Sequence, residues 1–148
     1  MTAEEMWQRS GLHGYHEAWA FGGAPDKLAG LVLQGKKTAT ASAFACYEEG
    51  QEKLPEAGDY SIILDSRENA VCIIMTTKVY VTDFDQVSEM HAYKEGEGDR
   101  SLSYWRQVHR EFFSEELMAI GQTFDEKMKV VCEEFNMVWP SQTVLRTH

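Results

Sequence analysis

A chain of 148 residues with 43% apolar side chains can bury one sizeable core, and it holds no run of about 18 apolar residues that could span a bilayer. Its net charge of −10 opposes a general polyanion-binding surface, because nonspecific nucleic-acid binding rests on many Lys and Arg contacts to phosphate. Cys46, Cys72 and Cys132 are far apart and odd in number, which points away from a disulfide framework or zinc cluster and leaves them as reduced core thiols.

The chain opens MTAEEMW, with no basic segment followed by an apolar run, so a soluble cytoplasmic protein is the expectation. Thr2 and Glu5 form a capping box for a first helix near 2–10, stopped by Gly11. Tyr15 to Phe21 alternates imperfectly and ends at Gly22-Gly23, a strand and a turn. Pro25 sits at the first position of a second helix with Leu28, Leu31 and Val32 on one stripe, and Gly35 caps its end. Thr38 to Phe44 suits a strand, and 47–56 reads as an acidic, exposed connection. The aliphatic runs 60–64 and 70–75 flank Asp65-Ser66-Arg67-Glu68-Asn69 as a hairpin, with strand character continuing to Thr82 through a bend or bulge. Asp83-Phe84-Asp85 begins a short helical turn. The segment 91–102 breaks at Gly96-Glu97-Gly98-Asp99 and reads as a loop. A helix over 101–120 carries Trp105, Phe112 and Phe113 on one face, and 127–138 is the last strand. One domain spans 1–140, and 141–148 has too little apolar periodicity to be held in place, so it is expected to be disordered. Several antiparallel strands with helices inserted between them predict an α+β domain on a small, strongly curved sheet or barrel.

Two segments carry candidate chemistry. In Gly35-Lys36-Lys37-Thr38-Ala39-Thr40-Ala41-Ser42, Lys36 fits the negative end of the preceding helix, while its neighbour Lys37 points elsewhere and is free to turn inward as a base or nucleophile. Thr38, Thr40 and Ser42 share one strand face, where a hydroxyl paired with a lysine can attack or bind a substrate oxygen. A regular strand would put Lys37 and Thr40 on opposite faces, so their convergence requires Lys37 to sit in the turn after Gly35. In the second segment, Asp99 or Ser101 caps the following helix, and Glu95 enters a pocket on irregular backbone as a general acid or base. Trp19 and Phe21 lead into the Gly-Gly turn, where an aromatic lines a pocket mouth. His91 and His109 lack metal-binding spacing and read as core or surface residues, and no metal or other cofactor is indicated.

The stretches WAFGGAPDKLAGLVLQGKKTATAS, LPEAGDYSIIL, HAYKEGEGDRSLSYWRQVHREFF and VVCEEFNMV, in this order and separation, resemble the ASCH-domain family. GKKTAT matches its G-x-K-x-x-T pattern, and EGEGDRSLSYWR is similar to a longer bacterial branch. The resemblance implies a PUA-like β-barrel with flanking helices. It also implies a metal-independent amidohydrolase acting on an acylated nucleobase such as N4-acetylcytidine, with Lys37, Thr40 and Glu95 catalytic; from the residue reading, Trp19, Phe21, Thr38, Ser42 and Arg100 are the candidates to surround the substrate. The roles are a hydroxyl or water that attacks, a lysine that takes a proton or faces the oxyanion, and a glutamate that passes protons to the leaving amine. Ser42 departs from the small amidohydrolases of the family, which commonly have arginine there. Other members bind or cleave RNA, so the alternatives are a noncatalytic RNA-binding module and a metal-independent ribonuclease, with a basic cleft of Lys36, Lys37 and Arg100 on a short single strand. The expected partner is a small nucleoside-like substrate or short single-stranded RNA.

Overall fold

The aliphatic run starting at Ala70 becomes one strand of 14 residues in the computed structural model, which describes residues 1–140. In chain order the elements are α1 (Ala3–Ser10), β1 (His16–Trp19), α2 (Pro25–Leu33), β2 (Ala39–Ala43), α3 (Phe44–Gly50), β3 (Tyr60–Leu64) and β4 (Ala70–Asp83). A 3₁₀ turn (Phe84–Gln86), α4 (Glu89–Glu95), α5 (Leu102–Ala119) and β5 (Lys129–Trp139) complete them. The tail expected over 141–148 lies outside the described residues.

The strands form one sheet in the order β1-β3-β4-β5-β2, antiparallel except for β1, which runs parallel to β3. The β4–β5 register shifts between Ile73 and Ile74 and again between Thr76 and Lys78, where the bend was expected; such irregularities increase local twist. The α+β expectation therefore holds, with flanking helices and an open sheet instead of a closed ring: β1 and β2 are edges and do not pair among the described residues. Three apolar clusters cement helices to it. Trp105, Phe113 and Leu117 of α5 meet Phe84, Val130 and Cys132. Leu28, Ala29 and Val32 of α2 cover Ile63, Cys72, Ile74 and Phe135, while Met6 and Trp7 of α1 cover Ile62 and Ile73. Each such large aliphatic or aromatic side chain contributes about 1.5–3 kcal/mol by leaving water. Cys72 and Cys132 are buried free thiols, each pushed up to about 12 by that burial, whereas Cys46 is only half-buried.

Two connections expected as loops are helices. The acidic segment after Ala43 starts as α3, because Ala45 and Cys46 pack on the α5 cluster and supply a partly buried face that a purely local reading of the glutamates hides. The segment before Gly96 is α4: the Ser88 hydroxyl accepts from the His91 amide at 3.0 Å, and Gly96 closes the helix with φ 74. Glu95 is thus the last residue of a helix and not part of an irregular loop. Among the described residues no helix is long and apolar enough to cross a membrane.

Candidate functional site

Helix α2 ends in a motif that aims Lys37. The amide of Gly35 (φ 77) donates to the Val32 carbonyl at 3.0 Å, and that of Lys36 to Leu31 at 3.0 Å, the paired 5→2 and 6→1 bonds of a Schellman cap. The Lys37 amide also donates to Leu31, at 3.1 Å, so this residue sits in the turn and not in β2, as its convergence with Thr40 requires. Lys36 stays exposed and Lys37 is only 2% exposed. Its Nζ lies 3.0 Å from Glu97 Oε2 and 3.5 Å from Glu95 Oε1, donates to the Glu95 carbonyl at 3.4 Å, and stands 5.2 Å from the centre of the Phe21 ring.

Glu95 gathers donors from three elements. Trp105 Nε1 donates to Oε2 at 2.6 Å and His91 Nε2 at 2.7 Å, while Lys37 and His109 Nε2 stand at 3.5 Å from Oε1. A carboxylate only accepts, which assigns the Nε2 proton of His91 and leaves its buried Nδ1 without a partner among the described residues. His109 Nδ1 donates to the Trp105 carbonyl at 2.9 Å, and its ring stacks on the indole. Burial alone would raise the Glu95 carboxyl, but the Lys37 charge and the hydrogen bonds from His109 and His91 outweigh it and hold Glu95 well below the usual carboxylate range.

Gly96 makes this meeting sterically feasible. A Cβ there would fall 2.2 Å from the Lys36 carbonyl oxygen, so only glycine lets the end of α4 touch the turn after α2.

Lys37, Thr40, Glu95, Trp19, Phe21 and Ser42 all line one cleft of about 1070 Å³. Residues of both edge strands, Glu17 to Trp19 of β1 and Thr40 to Ser42 of β2, contribute to its wall, so the sheet curls far enough for its edges to face the same space. Ser42 Oγ hydrogen-bonds Tyr47 Oη at 2.8 Å. Trp19 and Phe21 meet edge to face with ring centres 4.9 Å apart. Thr38 and Arg100 are turned elsewhere. The Thr38 amide and hydroxyl donate to the Lys94 carbonyl at 2.7 and 3.4 Å. Arg100 stacks on Tyr93 and donates to the Tyr93 and Lys36 carbonyls at 2.9 and 3.2 Å, so the basic cleft expected from Lys36, Lys37 and Arg100 does not form. The wall instead carries seven carboxylates, Glu17, Glu52, Asp59, Glu95, Glu97, Glu116 and Glu133, against three lysines, Lys27, Lys37 and Lys53. Burial raises Glu116, and it raises Glu133 to about 7, with the Thr76 hydroxyl opposing.

The family model described as ASCH domain matches residues 17–139. The chain belongs to the ASCH domain family. Its structure is similar to an ASCH domain from Lactobacillus crispatus JV V101 at 31% identity, covering 91% of this chain and 92% of that one, with a TM-score of 0.86. A protein from Enterococcus faecalis V583 is 33% identical over 98% and 94% of the two chains, with a TM-score of 0.79. The Y47F mutant of an ASCH protein from Zymomonas mobilis, 14% identical over 82% and 67%, shares the fold at a TM-score of 0.50. No curated protein matches this chain.

Within this ASCH domain the sequence reading missed His91, Trp105, His109, Glu97, Tyr47 and Glu133 as parts of the site. The signal for the first was present: His91 and Glu95 are four residues apart and share a helix face once Ser88 and Gly96 are read as caps. Glu133 left no local signal, because only pairing of β2 with β5 brings it beside Thr40.

Proposed function

We propose that this ASCH domain is an amidohydrolase that removes the acyl group from a modified nucleobase presented as a free nucleoside, with N4-acetylcytidine as the substrate to try first. The observation that carries this reading is a buried ammonium, Lys37, held by Glu95 in the wall of the same cleft that a strand hydroxyl, Thr40, lines. Amide hydrolysis needs a positioned nucleophile and a fixed positive charge where the carbonyl oxygen gains its electrons. Thr40, or a water it orients, supplies the first, and Lys37 supplies the second. Glu95, clamped by Trp105 and His91, keeps the ammonium in place, so little reorganisation accompanies the reaction. Trp19 and Phe21 offer an apolar wall for a planar base, and the volume suits a nucleoside.

The excess of carboxylates in the wall disfavours phosphate-bearing ligands and therefore RNA, whether bound or cleaved. The Ser42–Tyr47 pair stands where related amidohydrolases commonly hold arginine, so the substrate contacts at this point of the wall differ from theirs. Incubation of the purified protein with N4-acetylcytidine should release acetate and cytidine, and Lys37→Ala should cut the rate by about 100-fold or more, as loss of a preorganised oxyanion donor does. No deacetylation by the wild type, or full activity in Lys37→Ala, overturns the reading.

A further inference from the structure

The reaction proposed above needs a group that takes a proton from the attacking oxygen and returns it to the leaving nitrogen. Glu95 is badly suited to that task. Its carboxylate is stabilised in the ionised form, and Oε2 already accepts two short hydrogen bonds. A second carboxylate lies beside Thr40. Strands β2 and β5 pair with Thr40 directly opposite Glu133, so both side chains rise from the same face with Cβ atoms about 5 Å apart, and both line the cleft.

The surroundings of Glu133 differ from those of Glu95 in kind. Its one hydrogen bond among the described residues comes from the Thr76 hydroxyl at 3.4 Å, and it forms no ion pair among them. The polar and charged groups around it are Thr40 from β2, Thr76 from β4, Tyr47 from α3, and Asp59 and Lys53 from the connection before β3. This carboxyl therefore has capacity for a substrate proton, which Glu95 lacks.

Resting on the amidohydrolase reading, we propose that Glu133 is a further catalytic residue, the proton carrier for the oxygen that Thr40 supplies or orients. As a carboxylate it takes the proton of the attacking oxygen while the new C–O bond forms and the carbonyl π pair moves to the oxygen facing Lys37. Collapse restores the C=O bond and breaks the C–N bond, and the proton on Glu133 passes to the departing nitrogen. The products are a carboxylic acid, by way of a Thr40 ester if the threonine attacks, and a free exocyclic amine, with one water consumed. A carboxyl brought up to about 7 by burial is matched to such two-way transfer near neutrality.

The test is the pH profile of kcat/KM for N4-acetylcytidine in wild type, Glu133→Gln and His109→Gln, the last because the His109 imidazole lines the same wall and reaches Glu95. The wild-type profile should rise through a limb near pH 7. In Glu133→Gln that limb should vanish and kcat should fall by about 100-fold or more, with KM little changed. Glu133→Asp, which keeps a carboxylate but withdraws it by one methylene, should keep the limb with a reduced kcat, and it carries the test if Glu133→Gln does not fold. Wild-type activity in either Glu133 variant, or a limb that survives in Glu133→Gln and disappears in His109→Gln, overturns the proposal while leaving the amidohydrolase reading intact. A folded wild type that turns over no N4-acetylcytidine overturns both.

Discussion

Among the described residues Lys37 and Glu95 are the lysine and the carboxylate that the fold has taken furthest from water, and each is costly to leave alone. Removing one partner of a buried pair typically costs 3–5 kcal/mol, because the other stays buried without compensation. Lys37→Met should therefore lower stability in urea by about 3 kcal/mol, and adding Glu95→Gln should recover much of that without restoring catalysis. Recovery of activity in the double variant would show that the ion pair is only a structural element. Glu133 behaves in the opposite sense. Its carboxyl is raised from 4.5 to about 7 in the folded chain, so between those two pH values the native state holds a proton that the unfolded chain has lost. Stability from this group is complete below about pH 4.5 and drains away as pH rises through 7, by a total on the order of 3 kcal/mol. Denaturation of Glu133→Gln between pH 5 and 8 should show a flatter dependence than the wild type, and an unchanged slope would mean that Glu133 titrates normally. Lys37 and Thr40 were legible because a glycine cap, a lysine and a strand hydroxyl lie within six residues. Glu133 was not, since its partner Thr40 is distant in sequence and only the register joins them.

At the level of elements, two glycines with similar backbone angles do different jobs. Gly35, φ 77, has open space where a Cβ would go, so alanine there meets only the left-handed backbone penalty of about 1 kcal/mol. Gly96, φ 74, faces the Lys36 carbonyl at 2.2 Å, and alanine there must also push α4 off the turn after α2. Gly96→Ala should cost at least about 1 kcal/mol more than Gly35→Ala in thermal or urea unfolding, and it should lower kcat by separating Glu95 from Lys37. Equal losses in the two variants would mean that the close approach is dispensable. The end of α2 could be read from its sequence, because Gly35 follows a clean apolar stripe. Helix α4 could not be read with the same ease. It is seven residues long, its buried members include the polar pair His91 and Glu95, and the Gly-Glu-Gly-Asp run after it dominates any local pattern.

For the molecule as a whole, the curl of the sheet sets both the shape and the charge of the cleft. The hairpin of β3 and β4 was plain in the sequence, and so was the α+β class. The parallel placement of β1 and the approach of the two sheet edges depend on contacts between distant segments, which local periodicity does not report. With seven carboxylates around it, the cleft should bind cytidine nearly independently of salt. Cytidine monophosphate should bind more weakly at low ionic strength, the difference narrowing as salt screens the repulsion. Calorimetry at two salt concentrations checks this, and tighter binding of the nucleotide would return attention to RNA. The capped helix α4 has one more consequence, in time instead of geometry. A seven-residue helix at the edge of the core is small enough to open locally without the whole domain, and here such an opening removes the anion that holds Lys37. Catalysis is then tied to a local equilibrium and not to the global one. Amide exchange in α4 and loss of turnover should rise together at urea concentrations where the β4–β5 ladder is still protected, so the protein would fall silent before it unfolds.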